Sequence, residues 1–158
     1  MKPKVYIETS VVSYLTSRLS RNDVIRGHQA ATRLFWGALE RFDVFVSELV
    51  LREAGRGDEK QSEARLAAVH QLRILDIGEA AEALAGKLIT EHAVPIEQME
   101  DAMHIAVAAI NGMEFIVTWN FRHINNPVTR ALIRRVIETA GLIAPEICTP
   151  EELTGEPI

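Results

Sequence analysis

Three carboxylates from separate parts of the 158-residue chain, Glu8, Glu53 and Asp101, stand where apolar segments give way to polar ones. Glu8 closes the run K-V-Y-I (4–7) and is followed at once by Thr9-Ser10. It projects from a strand end, or it caps the amides of the turn that follows. Asp101 heads A-M-H-I-A-V-A-A-I (102–110), a helical stretch apolar on nearly every side and therefore buried. An acid at that boundary needs a partner or a metal; a first-turn acid favoured by the helix dipole is the other reading. Glu97 and Glu100 suit that second reading better, although Glu97 shares the face of Asp101. Glu53, in L-V-L-R-E-A (49–54), flanks the core positions Leu49, Val50 and Ala54, and alone it reads as a solvated helix charge. Magnesium and manganese prefer carboxylate and water oxygens. Anions gathered in one cleft repel until a cation neutralises them, and a pair of such ions about 4 Å apart suits phosphodiester hydrolysis. Spacing alone does not bring the three acids to one place.

The elements that must position them alternate. Strand patterns occupy 4–8, 43–46, 73–77, 114–118 and 146–149. Between them, helical periodicity runs over 11–16, 23–41, a segment capped by Ser47 and carrying Glu48 to Glu53, 59–72 and 79–92. A further helix opens at Pro95 and stops at Gly112, and another starts on the Asn126-Pro127 cap and stops at Gly141. This order predicts an α/β layer fold with a mainly parallel sheet of about five strands. Residues 1–150 are expected to form one domain and 151–158 a polar tail. Ligands of such folds gather outside the carboxyl ends of the strands. Glu8-Thr9-Ser10, Ser47-Glu48 and Thr118-Trp119-Asn120 all fall there.

Hydrophobic residues make up 47% of the chain and charged residues 25%, ordinary for a globular protein. The net charge of −5 argues against a non-specific DNA coat, which depends on many Lys and Arg contacts. It does not exclude a nuclease, because bound cations offset an acidic cleft. The single cysteine, Cys148, excludes an intramolecular disulfide and a cysteine zinc cluster. No apolar run reaches the roughly 18 residues of a membrane span, and the N-terminus lacks a signal-peptide pattern, so the cytoplasm is the expected compartment.

Four segments in this order, V-Y-I-E-T-S-V-V-S-Y-L (5–15), V-S-E-L-V-L-R-E-A (46–54), D-A-M-H-I-A-V-A-A-I-N-G (101–112) and V-T-W-N-F-R-H-I (117–124), resemble the PIN-domain nucleases. The likeness is closest to the VapC-like toxins of toxin–antitoxin pairs and covers nearly the whole chain. It implies a three-layer α/β/α sandwich, Mg²⁺ or Mn²⁺ as cofactor, RNA as substrate, a small antitoxin protein as partner and a homodimer or larger assembly. It also places Glu8, Glu53 and Asp101 at acidic metal-binding and catalytic positions, and Asn120 where a fourth acid commonly lies. Two departures stand out. Glu8 replaces the usual aspartate, adding one methylene, and Asn120 is neutral.

Around these positions Thr9, Ser10 and Thr118 offer hydroxyls to a phosphate, or cap turns. Trp119 and Phe121 can stack on an RNA base or pack over the sheet end. Arg122 is a candidate phosphate contact, as are Arg18, Arg21, Arg26, Arg52, Arg56 and His123. His104 reads as a core histidine or a partner for Asp101. Two other functions compete: a catalytically weak PIN-like binding module, and a phosphoacceptor domain. The latter would need an aspartate at the end of the third strand, where Gly78 follows and Asp76 lies inside.

Overall fold

Val5, Tyr6 and Ile7 are wholly buried, and the strand they form, β1 (Lys4–Ile7), lies at the centre of the sheet. A strand covered on both faces carries a continuous apolar run rather than an alternating one. In the computed structural model, which describes residues 1–155, β2 (Asp43–Ser47) and β3 (Arg73–Leu75) extend the sheet on one side of β1. On its other side lie β4 (Phe115–Val117) and β5 (Glu146–Cys148). The order is β3-β2-β1-β4-β5, every pair is parallel, and Tyr6 stands opposite both Phe45 and Ile116.

The helices are α1 (Thr9–Thr16), α2 (Asp23–Trp36), α3 (Glu48–Ala54), α4 (Glu59–Val69), α5 (Glu79–Thr90), α6 (Met99–Ile110), α7 (Pro127–Thr139) and α8 (Pro150–Thr154). Helices α1 to α4 and α8 pack among themselves, and α5 to α7 form a second group. Connections from β1 to β3 step one way across the sheet and the later ones step back. Right-handed crossovers then put the two groups on opposite faces, as the three-layer expectation requires. The same reversal makes the β1–β4 boundary the topological switch point, whose carboxyl end is the natural ligand crevice. No helix among the described residues is long and apolar enough to cross a membrane.

Several boundaries differ from the sequence reading. The 23–41 helix stops at Trp36, because Gly37 follows and the chain tightens through a 3-10 turn, Leu39–Arg41, before entering β2. Pro95 caps a 3-10 turn, Ile96–Gln98, and α6 begins only at Met99. The third strand ends at Leu75, and the Ile77 amide instead donates to the Glu48 carboxylate. The expected polar tail holds α8, whose Thr149–Glu152 capping box seats it against α2; residues 156–158 lie outside the described residues. Asn126-Pro127 does open α7, and Gly112 and Gly141 adopt positive φ just past their helices. Near the end of α2, Phe35 is fully buried and Trp36 partly so, while Leu34 is exposed.

One buried side chain ties the polar 17–22 loop to α2. Gln29 is 1% exposed, donates to Ser17 Oγ and the Arg18 carbonyl, and accepts from the Ser20 amide. Gln29→Leu keeps the volume but strands those loop groups, at a cost of about 1–3 kcal/mol. Thermal unfolding followed by circular dichroism should show a midpoint lowered by about 2–4 °C per kcal/mol. An unchanged midpoint would mean that the loop is held by something else.

Candidate metal centre

Helix α1 starts immediately after β1, and Glu8 is its N-cap, with extended backbone and a side chain folded back onto the Ser10 amide. The strand-end and capping readings of Glu8 are therefore both met. Its other carboxylate oxygen accepts from Ser10 Oγ and from Thr118 Oγ1, at the end of β4. Ser10 Oγ also accepts from the Trp119 amide, so the β1 and β4 ends are laced together across the switch point. Glu8 is left 5% exposed, with both oxygens fixed in direction.

Glu53 comes from α3, after β2, and accepts from the Thr9 hydroxyl at 2.6 Å and from His104 Nε2 at 2.5 Å. His104, on α6, is fully buried, and its Nδ1 lies 2.6 Å from the Tyr6 hydroxyl, which meets Ser47 Oγ at 2.8 Å. Burial pushes the Glu53 carboxyl up, but the His104 hydrogen bond and charge, with the Thr9 hydroxyl, outweigh it and hold the group down at about 2. Burial pushes the His104 imidazole down. The Glu53 hydrogen bond and the charges of Glu8, Glu53 and Asp101 outweigh that, and the net shift is upward. Burial raises the Tyr6 phenol, which stays neutral. Nε2 faces the Glu53 carboxylate and so carries a proton, and Nδ1, the Tyr6 hydroxyl and Ser47 Oγ continue the chain of hydrogen bonds to the end of β2.

Asp101, in the first turn of α6, accepts from His123 Nδ1 at 3.1 Å, and its side chain is 15% exposed. His123 belongs to the turn that Asn120 organises, where Asn120 Oδ1 accepts from the Arg122 and His123 amides. Trp119 is 5% exposed, stacks on His28 at 4.1 Å and donates Nε1–H to Thr32 Oγ1. Of the two readings of Trp119, packing over the sheet end is the one its surroundings match. Thr118 is buried and committed to Glu8, and Thr9 and Ser10 orient carboxylates. Phe121, 48% exposed, and Arg122 remain open to solvent. Arg56 forms a two-bonded ion pair with Glu100. The Cys148 thiol is buried and pushed up to about 12, so it stays protonated. His104 is the member that spacing did not place. The core reading of its burial holds, and its ring reaches Glu53 and Tyr6 rather than Asp101.

One ligand atom each from Glu8, Glu53 and His104 lies within 4.8 Å of the others. Asp101 stands outside that close set, although its charge reaches His104. Carboxylate oxygens from separate elements, held in fixed directions, are the donors that a hard divalent cation takes. The residues fit such an ion, and at neutral pH they can polarise a phosphodiester only together with one.

A PIN domain family model matches residues 5–127. Among solved structures, VapC20 of Mycobacterium tuberculosis, described as a sarcin-ricin loop cleaving toxin, aligns with a TM-score of 0.56 at 16% identity, over 88% of this chain and 96% of that one. VapBC2 from Rickettsia felis, bound to a DNA fragment from their promoter, aligns with a TM-score of 0.56 at 18% identity, over 78% and 94%. At these identities the likeness is one of fold. No curated protein sequence matches the chain.

The Glu53–His104 pair gives metal-free stability two opposite pH limbs. Glu53 is depressed from its ordinary 4.5, so its share is present above that value and is lost as the pH falls toward about 2. His104 is raised from its ordinary 6.5, so its share is complete below that value and is lost as the pH rises through the folded pKa. His104→Gln should cost up to about 3 kcal/mol in EDTA near neutrality. The gap from wild type should narrow at both pH extremes in urea titrations. A gap that does not vary with pH would show that the pair is not ionic.

Proposed function

The chain belongs to the PIN domain family, and on that footing we propose that it is a metal-dependent RNA endonuclease, the toxin of a toxin–antitoxin pair. The observation that carries the reading is the meeting of Glu8 and Glu53 from separate elements at the switch-point crevice, with the charge of Asp101 reaching the same buried imidazole. Glu8, Glu53 and Asp101 would hold Mg²⁺ or Mn²⁺. Such an ion supplies Lewis-acid stabilisation of the phosphate and of the departing oxygen.

The chain's own groups do the preparing. Ser10 and Thr118 aim the Glu8 oxygens, while His104 and Thr9 keep Glu53 ionised and in place. His123 steadies Asp101. Arg122, exposed beside the turn, offers a charge to the nucleic-acid backbone. Partners of this kind fix the direction and basicity of the carboxylates that would receive the ion. The likeness to the DNA-bound VapBC2 assembly supports a restraining protein partner of the antitoxin class. Val24 and Leu34, 66% and 69% exposed on α2, are apolar surface that such a partner or a second copy would cover. A binding module without catalysis is the second reading, favoured by the neutral Asn120 whose carbonyl is spent on a turn.

Glu8→Gln, Glu53→Gln and Asp101→Asn should each lower RNA cleavage by about 100-fold or more, beyond the loss typical of an outer partner of a metal site. Single-turnover assays with Mg²⁺ or Mn²⁺, on structured and single-stranded RNA, measure this beside circular dichroism. EDTA should abolish wild-type cleavage. Cleavage that survives chelation sinks the metal reading, and a wild type that binds metal but never cuts leaves the binding module.

A further inference from the structure

We infer that the Thr118–Ile124 turn is a spacer that fixes the Asp101 carboxylate relative to Glu8, and that Asn120 acts through His123 rather than as a fourth ligand. The inference rests on the proposed metal site and concerns how its outermost acid is held.

At one end, Thr118 Oγ1 donates to Glu8 Oε1 and accepts from the Asn120 amide at 2.9 Å. In the middle, Asn120 Oδ1 accepts from the Arg122 amide at 3.2 Å and the His123 amide at 3.0 Å. The Asn125 amide closes the turn on the Asn120 carbonyl at 2.8 Å. At the other end, His123 Nδ1 meets Asp101 Oδ2 at 3.1 Å. An unbroken run of hydrogen bonds therefore links one carboxylate to the other. Two backbone donors settle which atom of the Asn120 amide is oxygen, and together they occupy both of its lone pairs. For that oxygen to enter a metal's coordination shell, at least one of these bonds would have to be given up.

The His123 ring is 19% exposed and the Asp101 side chain 15%, so the contact is partly shielded from water. Because a carboxylate oxygen accepts, Nδ1 is the ring nitrogen that donates in this contact. A second partner of this type fixes both the position and the basicity of a ligand, and its loss commonly costs about 10–100-fold in metal affinity. The geometry makes the contributions of Asn120 and His123 one contribution. Without the Asn120 cap the 121–124 backbone is freed and His123 is no longer aimed. Without the imidazole, the cap has nothing to aim.

The test is Mn²⁺ titration calorimetry on the full chain as wild type, Asn120→Ala, His123→Ala, the double variant, Asn120→Asp and His123→Gln. Thermal unfolding confirms that each is folded, and ¹⁵N spectra of the His123 imidazole are recorded without metal. Each alanine variant should lose about tenfold or more in affinity, and the double variant should lose no more than either one. Asn120→Asp preserves both acceptor bonds and should bind at least as tightly as wild type. His123→Gln, whose amide can still donate to Asp101, should recover part of the loss. In wild type the Nδ1 proton should be localised, and in Asn120→Ala it should be shared between the two ring nitrogens. Additive losses, or an imidazole spectrum unchanged by Asn120→Ala, overturn the spacer. Wild-type protein that takes up no Mn²⁺ sinks the metal reading itself, and the imidazole spectrum still decides how the turn works.

Discussion

The hydrogen bond between the His104 imidazole and the Glu53 carboxylate joins α6, from one helical layer, to α3, from the other, over the carboxyl end of the sheet. Through the second ring nitrogen it reaches Tyr6 on β1 and, one bond further, Ser47 at the end of β2. Two strands and both helical layers are thereby registered at one point, in a region where carboxylates crowd and repel. That hydrogen bond, from an imidazole whose pKa the surrounding carboxylates raise, offsets part of the crowding. It also explains why a histidine can be wholly enclosed on a helix otherwise lined with Ala, Ile and Val. Among the described residues, no buried side-chain polar atom is left without a partner, so the buried network is complete rather than a weakness in the core.

The acids are served by hydroxyls as much as by charge. Glu8 has an extra methylene compared with aspartate and uses it to curl back over its own helix start, where it meets the Ser10 amide and hydroxyl and the Thr118 hydroxyl. The length that looked like a departure from the family pattern is taken up in capping.

Much of this was legible in the sequence. The apolar β1 run, the enclosed α6 and the Asn126-Pro127 cap follow from periodicity and from what proline and asparagine do at helix starts. The placing of Glu8, Thr118 and Asn120 at strand ends followed from the same patterns. Geometry across long separations was not legible. Tyr6 and His104 are 98 positions apart, and nothing local says that a tyrosine in a strand will meet a histidine in a helix. Trp119 could have faced substrate or core, and only the presence of His28 and Thr32 beneath it decides for the core. The early end of α2 was missed because Ala38 and Leu39 continue the apolar period past Gly37, while the chain has already turned toward β2.

The central place of β1 has a consequence for the order in which the molecule comes into being. β1 leaves the ribosome before the four strands it is joined with, and one of its two neighbours, β4, lies more than 100 residues further on. Glu8 waits across 110 positions for Thr118. Closing so long a loop is entropically slow and happens late. A nascent or truncated chain carries Glu8 and Glu53 without the strand that completes the crevice. The Glu8 carboxylate gains its full set of partners only once Thr118 has been added, a timing written into strand order alone.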